Sequence, residues 1–257
     1  MTFSKILIKN AKVVNDNQIF DFDLLIHGDR IKKIATKITS SSEMEVFDAE
    51  GKYIIPGLID DQVHFREPGL TYKACIETES KAALAGGITS FLEMPNTQPQ
   101  TTTKIEWEEK NKRAAATSYA NYAFMFGGTN DNLDEILALD TKRVPALKLF
   151  LGSSTGNMLV DNPEVLKSIF SRTKLVIAVH CEDEWTIQKN LKAAQQKYGN
   201  EIPISEHPII RSEEACYLSS SKAVALAKET GARLHVFHVS TERELGLFRN
   251  DIPLKEK

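Results

Sequence analysis

Six short apolar runs recur along the second part of the chain, near residues 58–65, 88–94, 119–126, 145–151, 174–180 and 232–238. The stretch leading into the first of them, Tyr53-Ile54-Ile55-Pro56-Gly57-Leu58-Ile59, is apolar at consecutive rather than alternate positions, the pattern of a strand covered on both faces. Helical spacing fills the gaps. One helix is predicted from Tyr72 to Ala85, stopping at Gly86-Gly87, and a second from Lys104 to Ala116. A third opens at Pro163, with Asp161 as its cap, and runs to about Phe170. Strand and helix alternating at this pace predict an α/β fold with a parallel sheet. The amino-terminal stretch differs, because Ile6 to Val14 and Phe22 to Ile31 alternate around Asn and Gly turns as short half-buried strands do. A boundary is therefore expected between residues 1–55 and 56–257.

Composition narrows the class without choosing a function. The 257 residues are 42% hydrophobic and 26% charged, enough for a substantial core. A net charge of -3 without basic runs gives no support for nucleic-acid binding or an anionic membrane surface. Neither a signal-peptide pattern nor an apolar stretch of membrane-spanning length is read. Three cysteines, Cys75, Cys181 and Cys216, favour a reducing compartment, and a cytoplasmic location is the expectation.

Candidate chemistry sits at the polar ends of the strands. Asp60-Asp61-Gln62-Val63-His64-Phe65-Arg66 places an imidazole and a guanidinium two residues apart, on one side of an extended chain. His64 is a metal ligand or a hydrogen-bonded core histidine. Arg66 offers a rigid fork that fits a carboxylate, hence an anionic small-molecule substrate, or else pairs with Glu67 or Asp61. Lys148 lies inside Ala146-Leu147-Lys148-Leu149-Phe150-Leu151, where a buried ammonium must be paired, lose its proton or be chemically modified. Two later strands end in His180 and His238.

These segments resemble the amidohydrolase superfamily and, within it, the dihydroorotases, whose barrel opens with Asp-x-His-x-His-x-Arg. Glu93-Met94-Pro95-Asn96-Thr97 stands where those enzymes carry Met-Pro-Asn-Thr. The resemblance implies a (β/α)8 barrel beside a small β-sandwich at the amino terminus. It implies reversible zinc-dependent interconversion of N-carbamoyl-L-aspartate and L-dihydroorotate in pyrimidine biosynthesis, with a homo-oligomer as the expected assembly. Arg66 and Asn96 would hold the substrate carboxylate. A carboxylated Lys148 would bridge two metal positions, with His64 serving one and His180 and His238 completing the other. Related amidases of the hydantoinase and allantoinase type share the fold but as a rule lack Arg at this point.

Two departures bear on activity. Gln62 replaces the first histidine of the pair, and an amide oxygen is a weaker zinc ligand than imidazole. One well-held zinc is therefore expected at Lys148, His180 and His238, with the second position weakened. Only about six of eight barrel units are read before Lys257, and the general-base Asp of an Asp-x-Ala-Pro-His segment would lie beyond it. A fragment of a longer enzyme, with little or no turnover alone, is the expectation. A non-catalytic scaffold or subunit of dihydroorotase type is the competing one.

The remaining features read as structural. Cys181 packs away from the site, and Glu182, Asp183 and Glu184 cap a helix beginning near Trp185. His235 faces opposite to His238, while the sequence around His27 and His207 shows no metal-ligand pattern. Residues 183–212 form an insertion that either walls the site or makes a surface or subunit contact. The polar loop Gly152 to Asn157 suits a position near substrate.

Overall fold

The computed structural model describes residues 4–152, 156–249 and 251, and the chain divides into two compact units, 1–58 and 59–257. The first holds a five-stranded sheet. Strands β1 (Lys5–Asn15), β2 (Gln18–His27), β3 (Arg30–Ala35) and β4 (Met44–Asp48) run in the order β3-β2-β1-β4, and β5 (Tyr53–Ile54) pairs with β1. One small apolar cluster holds Ala11, Val13 and Ala49, and Leu7, Leu24 and Ile38 are buried as well. Asp23, also buried, accepts hydrogen bonds from the backbone of Asn10 at 3.0 Å and Ile38 at 2.8 Å.

The second unit is built from parallel strands and helices in alternation. Strands β6 (Leu58–Val63), β7 (Ile88–Glu93) and β8 (Asn121–Phe124) form one sheet. Strands β9 (Phe126–Gly127), β10 (Ala146–Phe150), β11 (Val176–His180) and β12 (Leu234–Val236) form the next. Helices α1 (Ile76–Ala85), α2 (Lys104–Thr117), α3 (Leu133–Leu137), α4 (Pro163–Arg172), α5 (Glu184–Tyr198), α6 (His207–Ile210), α7 (Glu213–Thr230) and α8 (Glu242–Leu245) separate or follow them.

Alternation along β10 decides what faces the site. Leu147 and Leu149 join a large core with Phe91, Phe124, Ile177, Val179 and residues of the helices. Each such fully buried side chain contributes roughly 1.5–3 kcal/mol. Ala146 and Lys148 point the other way, and Ala146 packs with Met94, Met125, Ala178 and Phe237 in a second cluster. Because Lys148 pairs with Ala178 and Phe150 with His180, Lys148 and His180 project from the same face.

Several expected boundaries move. The third strand is broken at Met125, whose N–H bonds back to the Glu93 carbonyl at 3.0 Å. The first barrel strand ends at Val63 instead of 65, and Arg66 adopts a positive φ of 67°. Arg66 is thus placed by a turn, not by strand alternation. The last strand stops at Val236, and His238 has a φ of 37°. The first helix begins at Ile76 and not Tyr72, with the Ile76 N–H donating to the Glu67 carboxylate at 2.9 Å. Asn162, not Asp161, caps α4, and Asp161 instead accepts from the Asn130 amide at 3.0 Å.

Candidate active site

Two loops at the ends of neighbouring strands carry His64, Arg66 and Asn96. They lock together through the Gln98 N–H, which donates to the Pro68 carbonyl at 3.0 Å. Gly69, at a φ of 82°, lies so close to Gln98 that a Cβ there would collide with its carbonyl oxygen. Across this junction the His64 Nδ1 is hydrogen-bonded to the Asn96 Oδ1 at 2.9 Å. Since the amide oxygen only accepts, Nδ1 carries the proton and Nε2 keeps its lone pair. Burial lowers the His64 pKa to about 4 against the raising effect of that hydrogen bond, and the charges of Arg66, Lys148 and Lys110 lower it further.

The Arg66 guanidinium makes no ion pair among the described residues. Neither expected carboxylate takes it: Glu67 holds the start of α1, and Asp61 lies 3.5 Å from His235. Arg66 is instead bound through its backbone, whose N–H reaches Glu93 Oε1 at 3.2 Å.

Lys148 is completely buried, and its Nζ has no hydrogen-bond partner. The rings of Phe150 and Phe237 face the nitrogen, their centroids 4.6 Å and 4.4 Å away. Burial lowers its pKa to about 7. Its charge is felt by both His64 and His238. The side chains from separate strand ends therefore converge on one region.

His180 and His238 form the other half, with His180 Nδ1 and His238 Nε2 3.1 Å apart. The second nitrogen of His180 meets Glu182 Oε2 at 2.6 Å. That carboxylate is also gripped by Arg211, whose Nε donates to Oε1 at 2.6 Å and whose Nη2 pairs with Oε2. Burial acts to raise the Glu182 pKa, but the hydrogen bonds from His180 and Arg211 outweigh it and hold the group at about 2. These groups line a cavity of about 290 Å³ together with Cys216, Ser240 and Glu244.

Glu182 thus does not cap α5 as expected. Asp183 does, accepting from the Thr186 N–H at 3.1 Å. Strand alternation could have singled out Glu182, two residues beyond His180 and so directed to the same side. Arg211 carries no such local signal. It comes from the end of the 183–212 insertion, which folds back on itself through Asn190 Nδ2 bonds to the Ile209 and Ile210 carbonyls at 3.1 Å and 3.2 Å. Cys181 packs in the core, where burial pushes its thiol up to about 12. Ser153 to Thr155 of the polar loop lie outside the described residues.

Gln62 stands apart in this arrangement. Its backbone N–H donates to Asp60 Oδ1 at 3.0 Å, and among the described residues no hydrogen bond joins its amide to His64, Lys148, His180 or His238. Among the same residues no group of three or more His, Cys, Asp or Glu side chains is gathered for a metal ion. What the strands assemble is an imidazole pair beside a buried, partnerless amine.

Parallel strands whose polar ends carry His, Lys, His and His in this order define the class: an amidohydrolase α/β fold. The chain belongs to the dihydro-orotase-like family, whose profile matches residues 51–244. It is 31% identical over 95% of its length to a dihydroorotase of Methanosphaera stadtmanae and 33% identical over 95% to one of Staphylococcus epidermidis. It spans 55% and 57% of those relatives. The solved L-hydantoinase (dihydropyrimidinase) of Arthrobacter aurescens superposes with a TM-score of 0.89 at 29% identity, covering 95% of this chain and 55% of the other.

Proposed function

We propose that the protein to which this chain belongs is a dihydroorotase, interconverting N-carbamoyl-L-aspartate and L-dihydroorotate. The observation that carries the reading is the Arg66 guanidinium, unpaired among the described residues, on a loop locked to the one bearing Asn96. An arginine fork and an amide together suit the ring carboxylate, which hydantoins and dihydrouracil lack. The likeness to an L-hydantoinase keeps neutral-ring amidase activity as the second reading, and Arg66 separates the two.

The donor set fits a zinc ion. His180 Nδ1 and His238 Nε2 face one another, and the partnerless Lys148 nitrogen, its pKa lowered by burial to about 7, is suited to carboxylation that would make it an anionic oxygen ligand. His64 Nε2 is available for a second position, which Gln62 leaves weak. When bound, zinc supplies Lewis-acid polarisation of the ring carbonyl and a more acidic water. The protein's own groups hold the ring carboxylate at Arg66 and Asn96, fix the His180 ring through Glu182, and exclude solvent with Phe150 and Phe237. Gln62, an amide where the family's motif has a histidine, keeps a non-catalytic dihydroorotase-like scaffold as the remaining alternative.

Titration calorimetry tests the reading. Arg66→Ala is expected to weaken L-dihydroorotate binding by about 2–4 kcal/mol, the cost of stripping one partner from a desolvated charge pair. Dihydrouracil, the same ring without the carboxylate, should bind the variant and the unaltered chain alike. Equal loss for both rings, or for neither, refutes the assignment.

A further inference from the structure

Behind the loops that carry Arg66 and Asn96 lies a second charged group that the proposed chemistry does not use. Glu93 ends β7 and Lys110 lies midway along α2; their side chains are 1% and 0% exposed and form an ion pair. Burying both charges is costly and is seldom justified by stability alone, because an apolar pair of similar volume is often as stable or more so. The contacts of the pair indicate what it does.

Each member holds one of the two site loops by its backbone. Glu93 Oε1 accepts the Arg66 N–H at 3.2 Å, and Arg66 sits at a φ of 67°, a conformation that a non-glycine residue needs help to keep. Lys110 Nζ donates to the Met94 carbonyl at 3.0 Å and reaches Thr101 Oγ1 at 3.5 Å. Met94 and Thr101 bracket the Asn96 loop, whose ends are tied by the Thr101 N–H to the Pro95 carbonyl at 2.9 Å. The loops themselves meet at His64–Asn96 and at Gln98–Pro68.

We infer that the Glu93–Lys110 ion pair is the positioning device that sets Arg66 and Asn96 at one fixed spacing, and so makes the site selective for a ring bearing a carboxylate. Neither residue touches substrate. Their effect is transmitted through the backbone of two loops, and a recognition fork misplaced by an ångström loses most of its benefit. The inference rests on the proposed function, since it takes Arg66 and Asn96 as the carboxylate anchors.

The test uses the whole chain and two variants. Glu93→Gln keeps the shape but leaves Lys110 charged; E93Q/K110M removes both charges, so that no unpaired buried ion confounds folding. Calorimetric affinities are measured for L-dihydroorotate and dihydrouracil, with thermal melting alongside. The expected result for the double variant is at least a tenfold loss of affinity for L-dihydroorotate, unchanged affinity for dihydrouracil and a melting temperature close to that of the unaltered chain. If both rings weaken in parallel, the pair is merely structural and the inference fails. Unchanged affinity for both rings also overturns it. Should the unaltered chain not bind L-dihydroorotate at all, the functional reading itself falls, and the inference with it.

Discussion

Lys148 sits in an environment far from what its side chain prefers in water. With no partner for Nζ, the charged form is penalised in the fold and not in the unfolded chain, so the pKa falls from 10.5 to about 7. The sign follows directly. Below pH 7 the amine is protonated in both states, and folding carries the full burial cost, on the order of 5 kcal/mol for such a shift. Between pH 7 and 10.5 the unfolded state binds more protons, so stability rises with pH and the cost is gone above that window. In bicarbonate-free buffer with a chelator, urea midpoints of the unaltered chain should therefore climb from pH 7 to 9 more steeply than those of Lys148→Met. Parallel pH profiles would mean that the amine has found a partner in solution.

Loops, more than strands, place the recognition groups, and this limits what the amino-acid order reveals. Strands β10 and β11 are legible because their apolar residues run without interruption, and the residues Lys148 and His180 stand out against them. The break at Met125 is not, since Tyr122 to Phe126 reads as one apolar run while the chain turns from one sheet to the next. Lys110 lies in Lys104–Thr117, where it is one of several charged residues and only the packing of α2 against β8, through Trp107 Nε1 to the Phe124 carbonyl at 2.9 Å, buries it. Glu182 and Arg211 are 29 residues apart, a separation over which no local periodicity operates. Gly69 gives this dependence on loops a direct test. Gly69→Ala adds a Cβ against the Gln98 backbone at a left-handed φ, and should cost about 2–4 kcal/mol from strain and overpacking. The urea midpoint should fall accordingly, and L-dihydroorotate affinity with it. A variant of undiminished stability would show that the two loops are not in contact as described.

At the scale of the molecule the apolar burial is uneven. The unit of residues 59–257 holds a core in which Phe91, Phe124, Phe126, Leu147, Leu149, Ile169 and Ile177 are each fully buried. The unit of residues 1–58 buries the smaller set Leu7, Ala11, Val13, Leu24, Ile38 and Ala49, while Ile31, Ile34, Val46 and Phe47 of its sheet remain exposed. Hydrophobic stabilisation follows apolar area removed from water, so a sheet with this smaller buried set depends more on its ladder hydrogen bonds, each worth only about 0.5–1.5 kcal/mol net. Local opening should then be far easier in the first unit than in the second. Hydrogen exchange read by mass spectrometry on peptides from β1 to β4 is expected to run at least tenfold faster than on peptides from β10 and β11, at equal intrinsic rates. Exchange at one common rate throughout would instead mean that the two units open together as a single cooperative block, and that the amino-terminal sheet draws its stability from something other than its own core.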